Sequence, residues 1–321
     1  MRWELGGIMR KFSCELTILL ALLVAIISYG PTCELLSIDV RDFQAVSVGA
    51  KVKAESVETK TYNIEKPSKF TFTLKNVNGS IRILGEPIGE ILIRAEKTAY
   101  GETQEQAEKL LKELVVYDKG KDRLDIRVKA PMVTVGGKSP KVNFTISLPE
   151  TLQHVYVKSV NGSIDVRYIN SSIELHTVNG GIDVDSSGDM KVSTTNGSID
   201  IKAMHGMVRA STTNGRIDIY AKDGRVAAST TNGRIKFRLE SPDGVDARTT
   251  NGSIDVDLER VENVEVKAST NKGNEIYLVG FDRVEREKGV MRKSATAILG
   301  NGRVKLKFRT VNGNIKVRIR R

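Results

Sequence analysis

One dipeptide constrains most of what this chain can fold into. Asn-Gly begins at Asn161, Asn179, Asn196, Asn214, Asn232 and Asn251, each followed by its glycine: Gly162, Gly180, Gly197, Gly215, Gly233 and Gly252. The intervals are 18, 17, 18, 18 and 19 residues. Such a period marks one supersecondary unit per repeat, stacked on its neighbours to bury a shared core. A degenerate copy, STNKGNEI, carries Asn271, and two further pairs, at Asn301 and Asn312, follow a different spacing.

Positions counted from each Asn separate core from surface. Six residues before it stand Val155, Ile173, Met190, Val208, Val226 and Val245, and four before it Val157, Leu175, Val192, Ala210, Ala228 and Ala247. Three after it stand Ile164, Ile182, Ile199, Ile217, Ile235 and Ile254, and five after it Val166, Val184, Ile201, Ile219, Phe237 and Val256. Both arms therefore alternate with period two, the signature of half-buried strands. Each repeat reads as two short strands and two turns, the second turn being looser: MHG, KDG, SPDG. The expected fold is all-β, a β-solenoid or β-roll-like stack of two-strand coils. The alternative is an antiparallel β meander or sandwich with an Asn-Gly hairpin in each repeat. The copies match even at the polar Thr-Thr-Asn, which a meander does not need. In a solenoid, equivalent Asn amides lie one strand spacing apart and can bond in a ladder. The glycine is expected at a corner that needs φ > 0.

Before the repeats, residues 34–66 are mixed and polar, read as a stalk or first strands. FTFTLKNVNGSIRIL from Phe70, containing Asn78-Gly79, and EILIRAEKTAY then read as strands. A helix is expected near 104–116, with Thr103 and Gln106 as a capping box and Ala107, Leu110, Leu111 and Leu114 on one face. After Pro149 the repeats run to about 280. RVKLKFRTVNGNIKVRIRR closes the chain with strict alternation, read as a basic terminal cap over 281–321. One repeat domain over 67–321 is expected, with N-terminal strands and helix over 67–150 and regular repeats over 151–280.

Residues 1–33 read as a targeting segment. Leu16–Tyr29 is an apolar run behind Arg10 and Lys11, of signal-peptide length and short for a full span. Cleavage, retention as an anchor, or lipid attachment at Cys33 are the alternatives, and each exports the rest. Cys14 and Cys33 are the only 2 cysteines, so the folded part holds no disulfide or thiolate metal site. With aromatics at 5% the core must rest on Val, Ile, Leu and Ala, and the net charge of +11 admits an anionic partner.

VNFTISLPE leading into VYVKSVNGSIDV, followed by TTNGSIDI, TTNGRIDI, TTNGRIKF and TTNGSIDV, resembles the DUF4097-type family of adhesin-like domains over about residues 65–320. The resemblance implies an extracytoplasmic β-solenoid-like module, often on a membrane-anchored protein. It brings no catalytic residues to transfer.

The outward positions carry the candidate chemistry. Asp165, Asp183, Asp200, Asp218 and Asp255 stand four after each Asn. They lie mid-strand, unlike the turn carboxylates of Ca²⁺-binding rolls, with Arg216, Arg234 and Lys202 as neutralising neighbours. Thr194-Thr195, Thr212-Thr213, Thr230-Thr231 and Thr249-Thr250 form a second row, suited to packing and hydroxyl bonding. His154, His176 and His205 show no metal-ligand spacing and no evident Ser or acid partner. Lys305, Lys307, Arg309, Lys316, Arg318 and Arg320 are a polyanion-contact candidate. Asn143 and Asn170 are the better glycosylation acceptors if the repeat Asn side chains are internal. No cofactor and no metal is expected. The functional expectation is a non-enzymatic surface-binding or scaffold protein. Its ligand would be a glycan, an anionic polymer or a protein, its membrane link the N-terminal segment, and a flat stacked β-face offers a surface for self-association. Nucleic acid is disfavoured by export and by few stacking aromatics. The rivals are a polysaccharide-active β-helical enzyme and an envelope-stress or signalling accessory.

Overall fold

The computed structural model describes residues 52–129, 138–271, 274–289 and 291–320. The apolar leader, Cys14, Cys33 and the start of the 34–66 segment lie outside them. Among the described residues are 23 strands and one α-helix. No helix there is long and apolar enough to cross a membrane.

The repeats coil rather than fold back. On the first sheet, β8 (His154–Lys158), β10 (Ser172–Asn179), β12 (Met190–Asn196) and β14 (Val208–Asn214) pair in parallel in that order. On the second, β9 (Ile164–Asn170), β11 (Ile182–Ser187) and β13 (Ile199–Ala203) do the same. β15 (Ile217–Asn232) and β16 (Ile235–Asn251) run from the second sheet around the far corner into the first, so each serves both. β17 (Ile254–Glu259) continues the second sheet on β16. Parallel pairing of each residue with its equivalent one repeat later is the solenoid arrangement, and it excludes the meander. The four apolar rows read from the sequence line the interior, from Val155 and Ile164 through Ala247 and Val256, all below 5% exposed.

The Asn-Gly corner is closed by proximity and not by left-handed backbone. In this row only Gly79 has a left-handed φ, +116°. The others are glycine because the corners of successive coils touch. A Cβ on Gly215 would lie 1.9 Å from the Gly197 carbonyl oxygen, and one on Gly233 1.8 Å from that of Gly215. The expected requirement for φ > 0 belongs instead to the far corner, where Gly188, Gly206 and Gly224 stand at +97°, +107° and +90°.

Both ends of the stack depart from sequence order. β2 (Thr71–Lys75) and β3 (Ile81–Glu86) form a coil that lies against β8 and β9. The coil outside it is built later in the chain, from β6 (Arg123–Val128) and β7 (Lys141–Pro149). At the other end, β18 (Val264–Asn271) and β19 (Ile276–Val279) form the outermost coil. β22 (Val304–Arg309) and β23 (Ile315–Arg320) then return and insert beneath it. β22 pairs with β16 on one side and β18 on the other, and β23 with β17 and β19. The basic C-terminal segment, expected as the terminal cap, is thus an internal coil. Short-period stacking would have put Asn271 above Asn251; the chain puts Asn312 there.

Antiparallel strands close the ends. β4 (Glu90–Gly101) pairs along β7, and β1 (Val52–Asn63) along the whole of β4. Residues 52–63, read as stalk or first strands, are therefore strand. β5 (Val115–Lys119) pairs with β6. β20 (Arg283–Lys288) and β21 (Arg292–Leu299) cover β18, and β20 is exposed throughout, as suits a charged edge. α1 (Gln104–Glu113) is capped by Thr103, whose hydroxyl accepts from Gln106 N at 3.3 Å. The Gln106 side chain accepts from Glu102 N at 3.2 Å, one residue earlier than in a standard capping box. Ala107 and Leu111 pack on Ala54 and Ala99 of β1 and β4.

Candidate functional site

Stacking in register turns each outward position into a row, so the surface consists of long rows of like residues. The Asn row is continuous over eight coils. Nδ2 of Asn161 donates to Asn78 Oδ1 at 2.9 Å, and the relay passes through Asn179, Asn196, Asn214, Asn232 and Asn251 to Asn312, with every bond between 2.8 and 3.0 Å. Asn78 ends the relay by donating to Pro140 O at 3.0 Å. These side chains lie at the surface and not inside. The first Thr of each pair is buried, and its hydroxyl donates to the glycine carbonyl one coil back: Thr194 to Gly180, Thr212 to Gly197 and Thr249 to Gly233, at 3.0 to 3.1 Å. The second Thr faces outward beside the Asn row.

The second sheet carries the Asp row. Asp165, Asp183, Asp200 and Asp218 are register neighbours, followed by Lys236 and Asp255. Arg167 holds Asp165 at 2.6 Å, Arg216 reaches Asp200 and Asp218 at 3.4 and 3.3 Å, and Arg234 reaches Asp255 at 2.7 Å. Lys202, a foreseen neutraliser, pairs instead with Asp185 at 3.1 Å. Partial burial raises the Asp183 carboxyl above its ordinary value, and the charges of Asp200 and Asp165 add to the rise. Beside this row runs an open groove of about 290 Å³, bordered by Asp183, Lys202, Tyr220 and Arg238. Among the described residues no three His, Cys, Asp or Glu side chains converge as a metal ligand set.

The first sheet carries the excess positive charge. Lys305, Lys307 and Arg309 face outward on β22, whereas Lys316, Arg318 and Arg320 lie on the second sheet. The six cations therefore do not form one patch. Arg318 and Arg320 both bind Asp257, each at 2.8 Å, and Asp257 is 2% exposed. On the first sheet, stacking recruits partners that the linear sequence does not show. Lys307 stands in register between Asp246 and Lys267, and Arg309 beside Arg248; Arg209 shares the row of Lys307 three coils away, and Arg225 stands beside the far-corner Gly224, opposite Gly244. Asp246 is held by Arg248 at 2.9 Å, and Glu265 is shared by Lys267 and Lys305. Among the described residues Arg209, Arg225, Lys307 and Arg309 have no ion pair. All four are exposed, three in the first-sheet ladders and Arg225 at the corner that borders them.

The histidines have partners that only register reveals. His176 lies opposite Ser193, its Nδ1 within hydrogen-bond reach of Ser193 Oγ, while its Nε2 lies 2.8 Å from Glu174 Oε1. His205 meets Asp223 at 2.6 Å and His154 meets Ser172 at 3.2 Å. The expectation of no Ser or acid partner is corrected, because each partner lies one coil away or on the same strand face. Ser193, His176 and Glu174 have the connectivity of a charge relay, on strands that pair in the parallel ladder of the first sheet. Glu174 is also held by Lys191 at 2.8 Å.

The glycosylation candidates differ in setting. Asn143 is half-buried, and its Oδ1 accepts from both N and Oγ of Ser80 at 3.1 and 3.2 Å. Asn170 is exposed at the end of β9. The repeat Asn amides are exposed yet engaged in the ladder, so attachment there would break it.

No curated protein is found to be similar to this chain. Among solved structures it is similar to a candidate adhesin from Bacteroides fragilis, at 15% identity and TM-score 0.44, with 82% of this chain and 97% of that one covered. It is also similar to a candidate lipid-binding protein from Parabacteroides distasonis, at 12% identity and TM-score 0.42, with 87% and 100% covered. A candidate cell adhesion protein from Clostridium sporogenes follows at 12% identity and TM-score 0.22, with 83% and 100% covered. The family model described as Toastrack DUF4097 matches residues 89–318, which spans the whole run of regular coils and the inserted C-terminal one. By that match the chain belongs to the Toastrack DUF4097 family.

Proposed function

We propose that this is a non-enzymatic, membrane-targeted extracytoplasmic protein that binds an anionic polymer or surface through the first sheet. The observation that carries this reading is the set of unpaired, exposed cations, Arg209, Lys307 and Arg309 in the first-sheet ladders and Arg225 at the corner that borders them. A β-solenoid holds such side chains at strand spacing on a rigid backbone, so little ordering is needed when an extended anionic ligand docks. Clustered basic residues add about 1 kcal/mol each near an anionic lipid surface and are screened by salt. The charge-balanced second sheet is assigned to scaffolding, with its rows of ion pairs neutralising one another.

The test is a glycan-array and vesicle-binding assay on residues 34–321 at low and high salt. Binding to anionic but not zwitterionic vesicles, weakening with salt, supports the reading. Saturable binding to a neutral glycan that survives high salt would overturn the electrostatic contact and favour a recognition module elsewhere on the solenoid. Turnover of a polysaccharide, abolished by one acidic substitution, would return the enzyme reading.

A further inference from the structure

We propose that the C-terminal coil is an exchangeable element, and that the partner fitting its slot is a second copy of this chain. The slot lies between two coils that are consecutive in sequence and not in space. β17 ends at Glu259 and β18 starts at Val264, yet β22–β23 separate their coils. The linker of four residues that spans the gap contains Arg260 at φ +51°, a left-handed conformation that a non-glycine residue adopts at a cost. The coil that fills the gap arrives only after the β20–β21 hairpin.

The slot recognises its occupant by shape and by hydrogen bonds, all contributed within residues 304–320. Phe308 is in register between Ala247 and Ala268, so two small side chains leave room for one large one, and all three are buried. Thr310 Oγ1 donates to Gly252 O at 2.8 Å, and Thr270 Oγ1 donates to Gly313 O at 2.9 Å. Asn312 completes the Asn row at 2.8 Å. Arg318 and Arg320 clasp the buried Asp257. These contacts depend on the segment itself and not on which chain supplies it.

The connection to the rest of the fold is a short turn with Gly300 at φ +57° and Gly302 at φ +64°. Opening that turn lets β22–β23 leave their own slot and enter the equivalent slot of another copy, which returns its own coil. The product is a reciprocal dimer with the same contacts as two monomers and a changed hinge, the low-cost route of domain swapping. Intramolecular insertion prevails when dilute, because the tethered coil has a high effective concentration. Exchange therefore grows with protein concentration.

The test uses the full chain with Ser269→Cys and Arg309→Cys, which are register neighbours across β18 and β22, and with Cys14→Ser and Cys33→Ser. Isotope-labelled and unlabelled chains are unfolded together, refolded over a range of concentrations, oxidised and digested. The expected result is a dimer whose ratio to monomer rises about tenfold per tenfold rise in free monomer, with 269–309 disulfides joining labelled to unlabelled chains. A dimer carrying only same-isotope disulfides overturns the proposal. The unmodified chain provides a measurement independent of any variant: light scattering after the same refolding series. A monomer at every concentration overturns the proposal equally. Neither readout involves an anionic ligand, so this inference and the proposed function fail separately.

Discussion

Asn312 Nδ2 donates to Asn251 Oδ1 at 2.8 Å although 61 residues separate them. The six bonds that precede it in the row bridge 83, 18, 17, 18, 18 and 19 residues at nearly the same length. The row is thus a property of spatial stacking, and the chain supplies its members in whatever order its connections allow.

Within that row the amide and the glycine contribute differently. Asn214→Ala removes two exposed relay bonds and should cost about 1 kcal/mol. Gly215→Ala drives a methyl to 1.9 Å from a backbone carbonyl and should cost about 1–3 kcal/mol through displaced coils. Denaturant midpoints of the two variants check the order; an Asn214→Ala cost equal to or above that of Gly215→Ala would contradict it.

Thr212 and Ser159 occupy the same buried row with opposite fates. Thr212 bonds the Gly197 carbonyl at 3.1 Å, whereas the Ser159 hydroxyl has no partner, the Gly79 carbonyl being taken by Asn76 at 3.1 Å. Thr212→Val should destabilise by about 1–3 kcal/mol, while Ser159→Ala should be neutral or stabilising. Thermal unfolding of both variants measures the contrast.

Asp257 ties β17 to the inserted coil through Arg318 and Arg320. Asp257→Asn keeps the shape and removes the charge. It should cost about 1–3 kcal/mol, less than a fully buried pair because both arginines reach solvent. The loss should be local, with amide exchange rising first along β22 and β23 and little change at β10–β13.

Acid should loosen the N-terminal end. Glu58 on β1 receives Lys97 at 2.6 Å, Tyr117 at 3.1 Å and Lys60 at 3.3 Å. Burial by itself would raise its carboxyl, but the bonds from Lys97, Lys60 and Tyr117 outweigh burial and hold it below the ordinary range. A carboxyl lowered on folding stabilises above its unfolded value, about 4.3, and that stability is lost as pH falls through the lowered folded value. Glu58→Gln should remove this part of the acid sensitivity and destabilise at pH 7. Unfolding midpoints from pH 7 to pH 3 for both proteins test it, and parallel curves would contradict it.

Neutralising the first sheet should abolish surface binding without unfolding. Arg209, Arg225, Lys307 and Arg309 each changed to Gln should weaken binding to anionic vesicles by about tenfold or more at low salt. Lys316→Gln, on the opposite sheet beside Asp255, should change it little. Co-sedimentation with anionic and zwitterionic vesicles reads both.

The repeat period, the alternation of its arms and the identity of each inward row were set by the sequence alone. Side-chain period two and coil period near 18 are local properties, and Val155 or Ile164 face inward whatever stacks above them. The helix and its Thr103 cap were equally local. What the linear pattern could not carry is the order of coils at the two ends, because parallel strands stack on any edge of matching register and sequence distance does not limit which. Phe308 between Ala247 and Ala268 decides that order by volume, and Asp257 between two arginines by charge. The same holds for the surface. Lys307 and Arg209 come to share one row, and Lys307 and Lys316 are parted to opposite faces, only once the coils are stacked; charge acts through space, and the stack sets the distances.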